Sequence, residues 1–209
     1  SILCTMNYFI AHRGLHTSEI KENTLKAFKE ACKSPFYDGF ECDVRTTKDN
    51  TLVIVHNAFI SKCLIRNTDY ATLKKKYSIP TLKEVLELET DKIILLEIKE
   101  LDLDIDNFLN VINNYKKQNI YIMSFYNKVI KKLKEKGCVF PLGVLNYVFN
   151  SEEEYHDYDF IVLLESLLSD RLIGYFNTRK KKVFVYGIHK LNESKERYNN
   201  LYFIVDDVL

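Results

Sequence analysis

The 209-residue sequence has only six glycines, no long apolar run and almost no net charge. The glycines leave no glycine-rich turn after the first apolar run, where His12-Arg13-Gly14 stands instead. That argues against an open doubly wound sheet with a nucleotide-binding turn. No apolar stretch reaches the length of a membrane span, so no stable membrane insertion is expected. A formal net charge of +1 gives no electrostatic footprint for nucleic acid. The five cysteines, Cys4, Cys32, Cys42, Cys63 and Cys138, show no CxxC spacing. Scattered and odd in number, they suit a reducing, cytoplasmic setting better than a disulfide framework. Residues 1–5 carry neither a basic residue nor a signal-peptide apolar region, and Met6 stands where a native start is expected. No serine or cysteine is placed beside a histidine and an orienting acid, so a covalent enzyme intermediate is not expected.

What is present is a regular alternation of apolar strands and amphipathic helices. Residues 8–11 form a buried strand ending at His12. Asn23 or Thr24 then caps a helix with Leu25, Phe28, Ala31 and Cys32 on one face. In the strand over 39–44, Glu41 and Asp43 point to one side, and Phe40, Cys42 and Val44 to the other. Thr81 to Glu84 is a capping box that opens a helix through Leu88. The strand over 93–99 puts Leu95, Glu97 and Lys99 on one face. Further strands are expected over 120–123, 140–145, 160–164, 183–188 and 201–205, with helices between them, one of them short and opened by Ser151 and Glu154. Eight strands alternating with seven helices predict one (β/α)8 TIM barrel domain over 1–209, its last helix short or missing. The outer face of the strand over 201–205 would then lack cover, and an exposed apolar patch of that kind favours a homodimer.

One connection breaks the rhythm. Residues 47–51 are too few for a parallel crossover, so 52–55 should return antiparallel as a hairpin arm turning at Asp49-Asn50. A two-residue loop sets Thr47 opposite Leu52, Arg45 opposite Ile54 and Asp43 opposite His56.

Glu41, Asp43 and Glu97 thus converge at the barrel mouth if their strands are neighbours. Three hard oxygen ligands suit one divalent cation, Mg2+ or Ca2+. Salt bridges to Arg13, Arg45 and Lys99 are the plainer reading of each carboxylate alone. His12 and His56 at the same mouth are the candidate catalytic acid and base. His16, in the first loop, is expected to be exposed, and His156 has no partner pattern. The basic runs 74–76 and 179–182 read as solvated helix ends.

His12-Arg13-Gly14, Glu22-Asn23-Thr24, Glu41-Cys42-Asp43-Val44, Thr47-Lys48-Asp49 and His56-Asn57 follow in order. In this series the chain resembles the glycerophosphodiester phosphodiesterase family, with Asn57 where the family has Asp. Glu97-Ile98-Lys99 and Ser124-Phe125 resemble further family elements, and the stretch 57–79 looks like a trimmed insertion lobe. The resemblance implies a metal-dependent phosphodiesterase that splits a small-molecule glycerophosphodiester into glycerol 3-phosphate and an alcohol. Arg13 and Lys99 are then the phosphate clamps, and Ser124, Tyr186 and His189 the candidate substrate pocket. Tyr186-Gly187-Ile188-His189 departs from the family's Trp-Thr-Val-Asn-like stretch, and its closing Thr-Asp appears only as Asp206-Asp207. These changes bear on the organic part of the substrate. A phosphodiesterase or cyclase acting on another headgroup or a lysolipid is the same-fold alternative. A barrel that only binds phosphorylated ligands is the non-catalytic one.

Overall fold

Period-two alternation gives each strand one face for the barrel interior and one for the helices. The computed structural model describes residues 6–117, 119–147 and 151–206. The expectations for residues 1–5, Asp207 and any element after it fall outside these. The strands are β1 (Tyr8–Ala11), β2 (Gly39–Thr46), β3 (Leu52–Ile54), β4 (Phe59–Ile60), β5 (Cys63–Leu64), β6 (Ile93–Ile98), β7 (Ile120–Ser124), β8 (Leu142–Leu145), β9 (Phe160–Leu164), β10 (Lys182–Tyr186) and β11 (Leu201–Val205). The α-helices are α1 (Leu25–Lys33), α2 (Tyr70–Lys76), α3 (Leu82–Leu86), α4 (Ile105–Asn113), α5 (Asn127–Glu135), α6 (Asp170–Thr178) and α7 (Leu191–Arg197). Strands β2, β6, β7, β8, β9, β10, β11 and β1 pair in parallel in that order, and β1 pairs back onto β2 to close an eight-stranded barrel. Among the described residues no helix is long and apolar enough to cross a membrane.

The barrel interior is filled by Ile10, Leu95, Met123, Leu145, Phe160, Val162, Phe184, Tyr202 and Ile204. Its lower half is aromatic: Tyr8 stacks on Tyr202 at 4.4 Å, Tyr202 on Phe184 at 4.7 Å, and Phe184 lies 5.0 Å from Phe160. Phe160 has room because residue 143 is glycine; a Cβ built there would overlap the Phe160 ring. Outward residues such as Phe40, Cys42, Val44, Leu96 and Phe203 pack with the helices. With Phe40, Cys42 and Val44 turned outward, Glu41 and Asp43 face the interior above the aromatic floor. The chain beyond β3 folds back over 57–79 as the β4–β5 hairpin and α2, around Val53, Ile65, Leu73 and Ile79.

Most expected elements recur within a few residues, and the differences have local causes. Between β8 and β9 the described crossover is a 3-10 turn over Glu152–Tyr155 in place of the expected boxed helix, and the Ser151 hydroxyl accepts from Glu153 N–H at its start. Strand β10 stops at Tyr186 because Gly187 turns with φ +61. Strand β3 does run antiparallel and outside the ring, but its register is one residue from expectation: Val44 faces Ile54, Arg45 faces Val53 and Thr46 faces Leu52. Asn50 adopts φ 62, and Thr47 N–H donates to Thr51 C=O, which makes a three-residue loop. Strand β11 is also covered, contrary to expectation. Leu201 and Phe203 are fully buried in the outer core beside Phe9, Leu191 and Tyr198, so this strand supplies no exposed patch for a second copy.

Gly143→Ala should destabilise the fold by roughly 1–3 kcal/mol, as forced overpacking does. The urea unfolding midpoint measures this. Adding Phe160→Leu in the same chain should recover part of the loss, whereas an unchanged midpoint would contradict the packing argument.

Candidate active site

Strand β1 is short, and that opens the site. It covers the edge of β2 only at Gly39 and Phe40, and β3 takes over the same edge at Val44 to Thr46. Between them β2 carries Glu41 and Asp43, while β6 holds Glu97 in register with Asp43. The three carboxylates are 1%, 1% and 8% exposed, and one oxygen of each lies within 4.8 Å of the others.

Burial and crowding set their protonation. Desolvation first, then the charges of Asp43 and Glu97, push the Glu41 carboxyl well above the usual range. Burial and Asp43 also raise Glu97, with Lys99 opposing. Burial pushes Asp43 up as well, but the close approach of His56, the hydrogen bond from Asn23 and the charge of Lys99 outweigh it, leaving Asp43 at about 2.

The neighbours supply positive charge and donors. Arg13 Nε approaches Asp43 Oδ2 at 3.5 Å while its Nη1 holds Glu22 at 2.7 Å. Arg13 N–H donates to Glu41 Oε2 at 3.2 Å, and Asn23 Nδ2 donates to Asp43 Oδ2 at 2.9 Å. Lys99 Nζ sits 3.0 Å from Glu97 Oε2. Arg13 and Asn23 both take left-handed φ, 57° and 53°, and are joined by an Asn23 N–H to Arg13 C=O bond. Non-glycine residues in this region are held there by their surroundings.

Each histidine sets one ring nitrogen against an acid. His12 Nδ1 lies 2.6 Å from Asp206 Oδ1, and its Nε2 lies 3.5 Å from Glu41 Oε2. The hydrogen bond from His12 holds Asp206 down at about 2 against partial burial, with His16 adding to it. An ionised Asp206 fixes the proton on His12 Nδ1 and leaves Nε2 towards the mouth. His56 Nδ1 is buried 3.4 Å from Asp43 Oδ2, an ion-pair approach longer than a hydrogen bond. His56 thus stands beside Asp43 despite the register shift, because Arg45 clamps its carbonyl oxygen with two bonds of 2.9 and 2.7 Å.

A hard cation fits this arrangement. Glu41 Oε1 and Asn23 Oδ1 are buried acceptors with no donor among the described residues. The triad carries up to three negative charges against Arg13, which Glu22 shares, and Lys99. A divalent cation bound by oxygen ligands would relieve the repulsion and complete the orphaned acceptor.

Two hollows flank the triad. A cavity of about 470 Å³ is lined by His12, Tyr186, Ile188, His189, Leu191 and Asp206. A cleft of about 700 Å³ on the other side is lined by residues including Arg13, His16, Asn23 and His56. Tyr186 and His189 therefore stand where a pocket was expected. Ser124 does not: it is fully buried, donates to Ile98 C=O at 2.8 Å and accepts from Tyr126 N–H, tying β7 to β6 below the mouth. His16 is half-buried beside Asp206 at 3.2 Å, against the expectation of an exposed loop residue. Asn23, Glu22 and Arg45 also take part, although sequence gave them no ligand-directed task. For Asn23 and Glu22 the available signal was their place in the ordered motifs; Arg45 was read only as a salt-bridge partner of the carboxylates.

Residues 12–201 match the glycerophosphoryl diester phosphodiesterase family. A glycerophosphodiester phosphodiesterase of Caldanaerobacter subterraneus subsp. tengcongensis is 30% identical over 172 residues, which take in 70% of this chain and 69% of that protein. One of Bacillus altitudinis is 34% identical over 114 residues, 45% of this chain and 46% of that protein. The glycerophosphodiester phosphodiesterase of Thermotoga maritima superposes with a TM-score of 0.77 at 25% identity, over 96% of this chain and 95% of that one. An Oleispira antarctica phosphodiesterase, solved with its product sn-glycerol-3-phosphate, superposes at 0.82 and 21% identity, over 94% and 92% of the two chains. The chain belongs to the glycerophosphoryl diester phosphodiesterase family, whose members are phosphoric diester hydrolases.

Proposed function

We propose that this chain is a cation-dependent phosphodiesterase that hydrolyses a glycerophosphodiester to glycerol 3-phosphate and an alcohol. The observation that carries the reading is the pair of acid-backed histidines, His12 against Asp206 and His56 against Asp43, flanking a buried carboxylate triad. The product held by the Oleispira relative supports the choice of substrate. A divalent cation held by Glu41, Asp43 and Glu97 would supply positive charge to offset the negative charge that develops on the phosphate oxygens.

The chain's own groups then do the following. Arg13 and Lys99 orient the phosphate and add fixed positive charge. The substrate hydroxyl on the carbon next to the ester is held in line with the leaving alcohol. Such proximity is worth about 7–11 kcal/mol of barrier. One histidine takes the proton of that hydroxyl as its oxygen forms a bond to phosphorus. The other donates a proton to the alcohol oxygen as the bond from phosphorus to that oxygen breaks. The product is a cyclic phosphate; water then opens it with the histidine roles exchanged. The alcohol end lies in the cavity of Tyr186, Ile188 and His189, beside an aromatic ledge in which Phe125 stacks on the exposed Tyr147 at 4.7 Å. The persistence of both histidines and all three carboxylates favours this over a barrel that only binds.

His12→Ala and His56→Ala should each lower kcat by about 100- to 10,000-fold while divalent-cation binding, measured by calorimetry, stays within a few-fold of the parent. A histidine variant with near-parental turnover would remove that residue from the chemistry. A substrate lacking the attacking hydroxyl should be cleaved orders of magnitude more slowly than its parent. Comparable rates would replace the cyclic route with direct attack by water.

A further inference from the structure

Asp206 is the first residue past β11, and its side chain is 62% exposed. A carboxylate so placed is free to change rotamer unless it is held from more than one direction. Here Asp206 Oδ1 takes two imidazoles at once, His12 Nδ1 at 2.6 Å and His16 Nε2 at 3.2 Å.

The turn after β1 brings them together. Arg13 and Gly14 have φ of 57° and 81°, so the chain reverses within two residues, closed by Gly14 N–H donating to Ala11 C=O. Leu15 N–H donates to Ala27 C=O, which lays the returning strand of the loop on α1. Only glycine suits position 14, since a Cβ would come within 2.7 Å of Ala27 Cβ. Past His16, Thr17 Oγ1 accepts the N–H groups of Glu19 and Ile20, and Thr17 N–H donates to Ile20 C=O. The loop is therefore fixed on both sides of His16, so that a second, separately anchored imidazole lies against the Asp206 oxygen that His12 uses. An acid behind a catalytic histidine acts by fixing its tautomer and ring orientation, and an acid that swings fixes neither.

We infer that His16 is a positioning residue for the proposed reaction: it holds Asp206 so that His12 keeps its proton on Nδ1 and turns Nε2 to the mouth. The inference rests on the acid–base reading of His12.

The test combines kinetics with nitrogen NMR of histidine-labelled protein in the presence of Mg2+. His16→Ala should lower kcat by roughly tenfold with KM within about twofold, and should shift the His12 resonances towards a mixture of tautomers. His16→Gln, which restores an N–H donor at similar reach, should bring back most of both. In an Asp206→Asn background, His16→Ala should cost nothing further. Unchanged His12 resonances in His16→Ala would overturn the inference. So would losses that multiply in the double variant, or a raised KM at constant kcat, which would make His16 a direct substrate contact in the cleft it lines. The two readings fail separately. If His12 is not the acid or base, His12→Ala keeps turnover while the NMR response to His16→Ala persists. If the inference is wrong, the NMR response is missing whatever His12→Ala does.

Discussion

Three buried carboxylates within 4.8 Å of one another are the constraint around which the mouth of this barrel is built. Bare, they repel, and each has lost its hydration; the raised Glu41 and Glu97 carboxyls express that cost. The surroundings answer it piece by piece. Arg13 and Asn23 occupy left-handed backbone conformations that bring a guanidinium and an amide to Asp43. Lys99 lies against Glu97, and His12 and His56 lie against Glu41 and Asp43. Among the described residues Glu41 Oε1 remains without a donor.

The barrel makes this concentration of charge possible. Strand β2 has β6 along one edge, but its other edge is shared by β1 low down and β3 higher up. The gap between them is where the first loop enters with His12 and Arg13 and where His56 returns from the arm. A longer β1 would close the gap, and without the arm His56 would have no route to Asp43. Below, the aromatic floor of Tyr8, Tyr202, Phe184 and Phe160 gives the strands a packed base. The charged layer therefore stands on packed rings, and the two hollows open only above it.

Strand phase was legible in the sequence because period two is local: Glu41, Asp43 and Glu97 were placed on inward faces from alternation alone, and the ordered motifs from His12 to His56 pointed to the family. Register of the arm was not legible, because it turns on whether Asn50 adopts a left-handed conformation, and both loop lengths suit Asp49-Asn50. His16 was misjudged for a similar reason. Two consecutive left-handed residues fold its loop back, and no periodicity reports that. The resemblance of Ser124-Phe125 to a family element pointed to a pocket group, yet the Ser124 hydroxyl is spent on Ile98 and Tyr126. Part of the cover over β11 comes from Phe9, distant in sequence, which a strand-by-strand count cannot register.

The divalent cation proposed for Glu41, Asp43 and Glu97 would offset their mutual repulsion, and turnover would then depend on it. The most direct measurement is calorimetric titration of Mg2+ and Ca2+ into chelator-treated protein, with turnover followed across the same additions. One site per chain is expected, lost in Glu41→Gln and Glu97→Gln, with activity that returns in step with occupancy. Full turnover by the chelator-treated protein in metal-free buffer, or a single site indifferent to both substitutions, would contradict it.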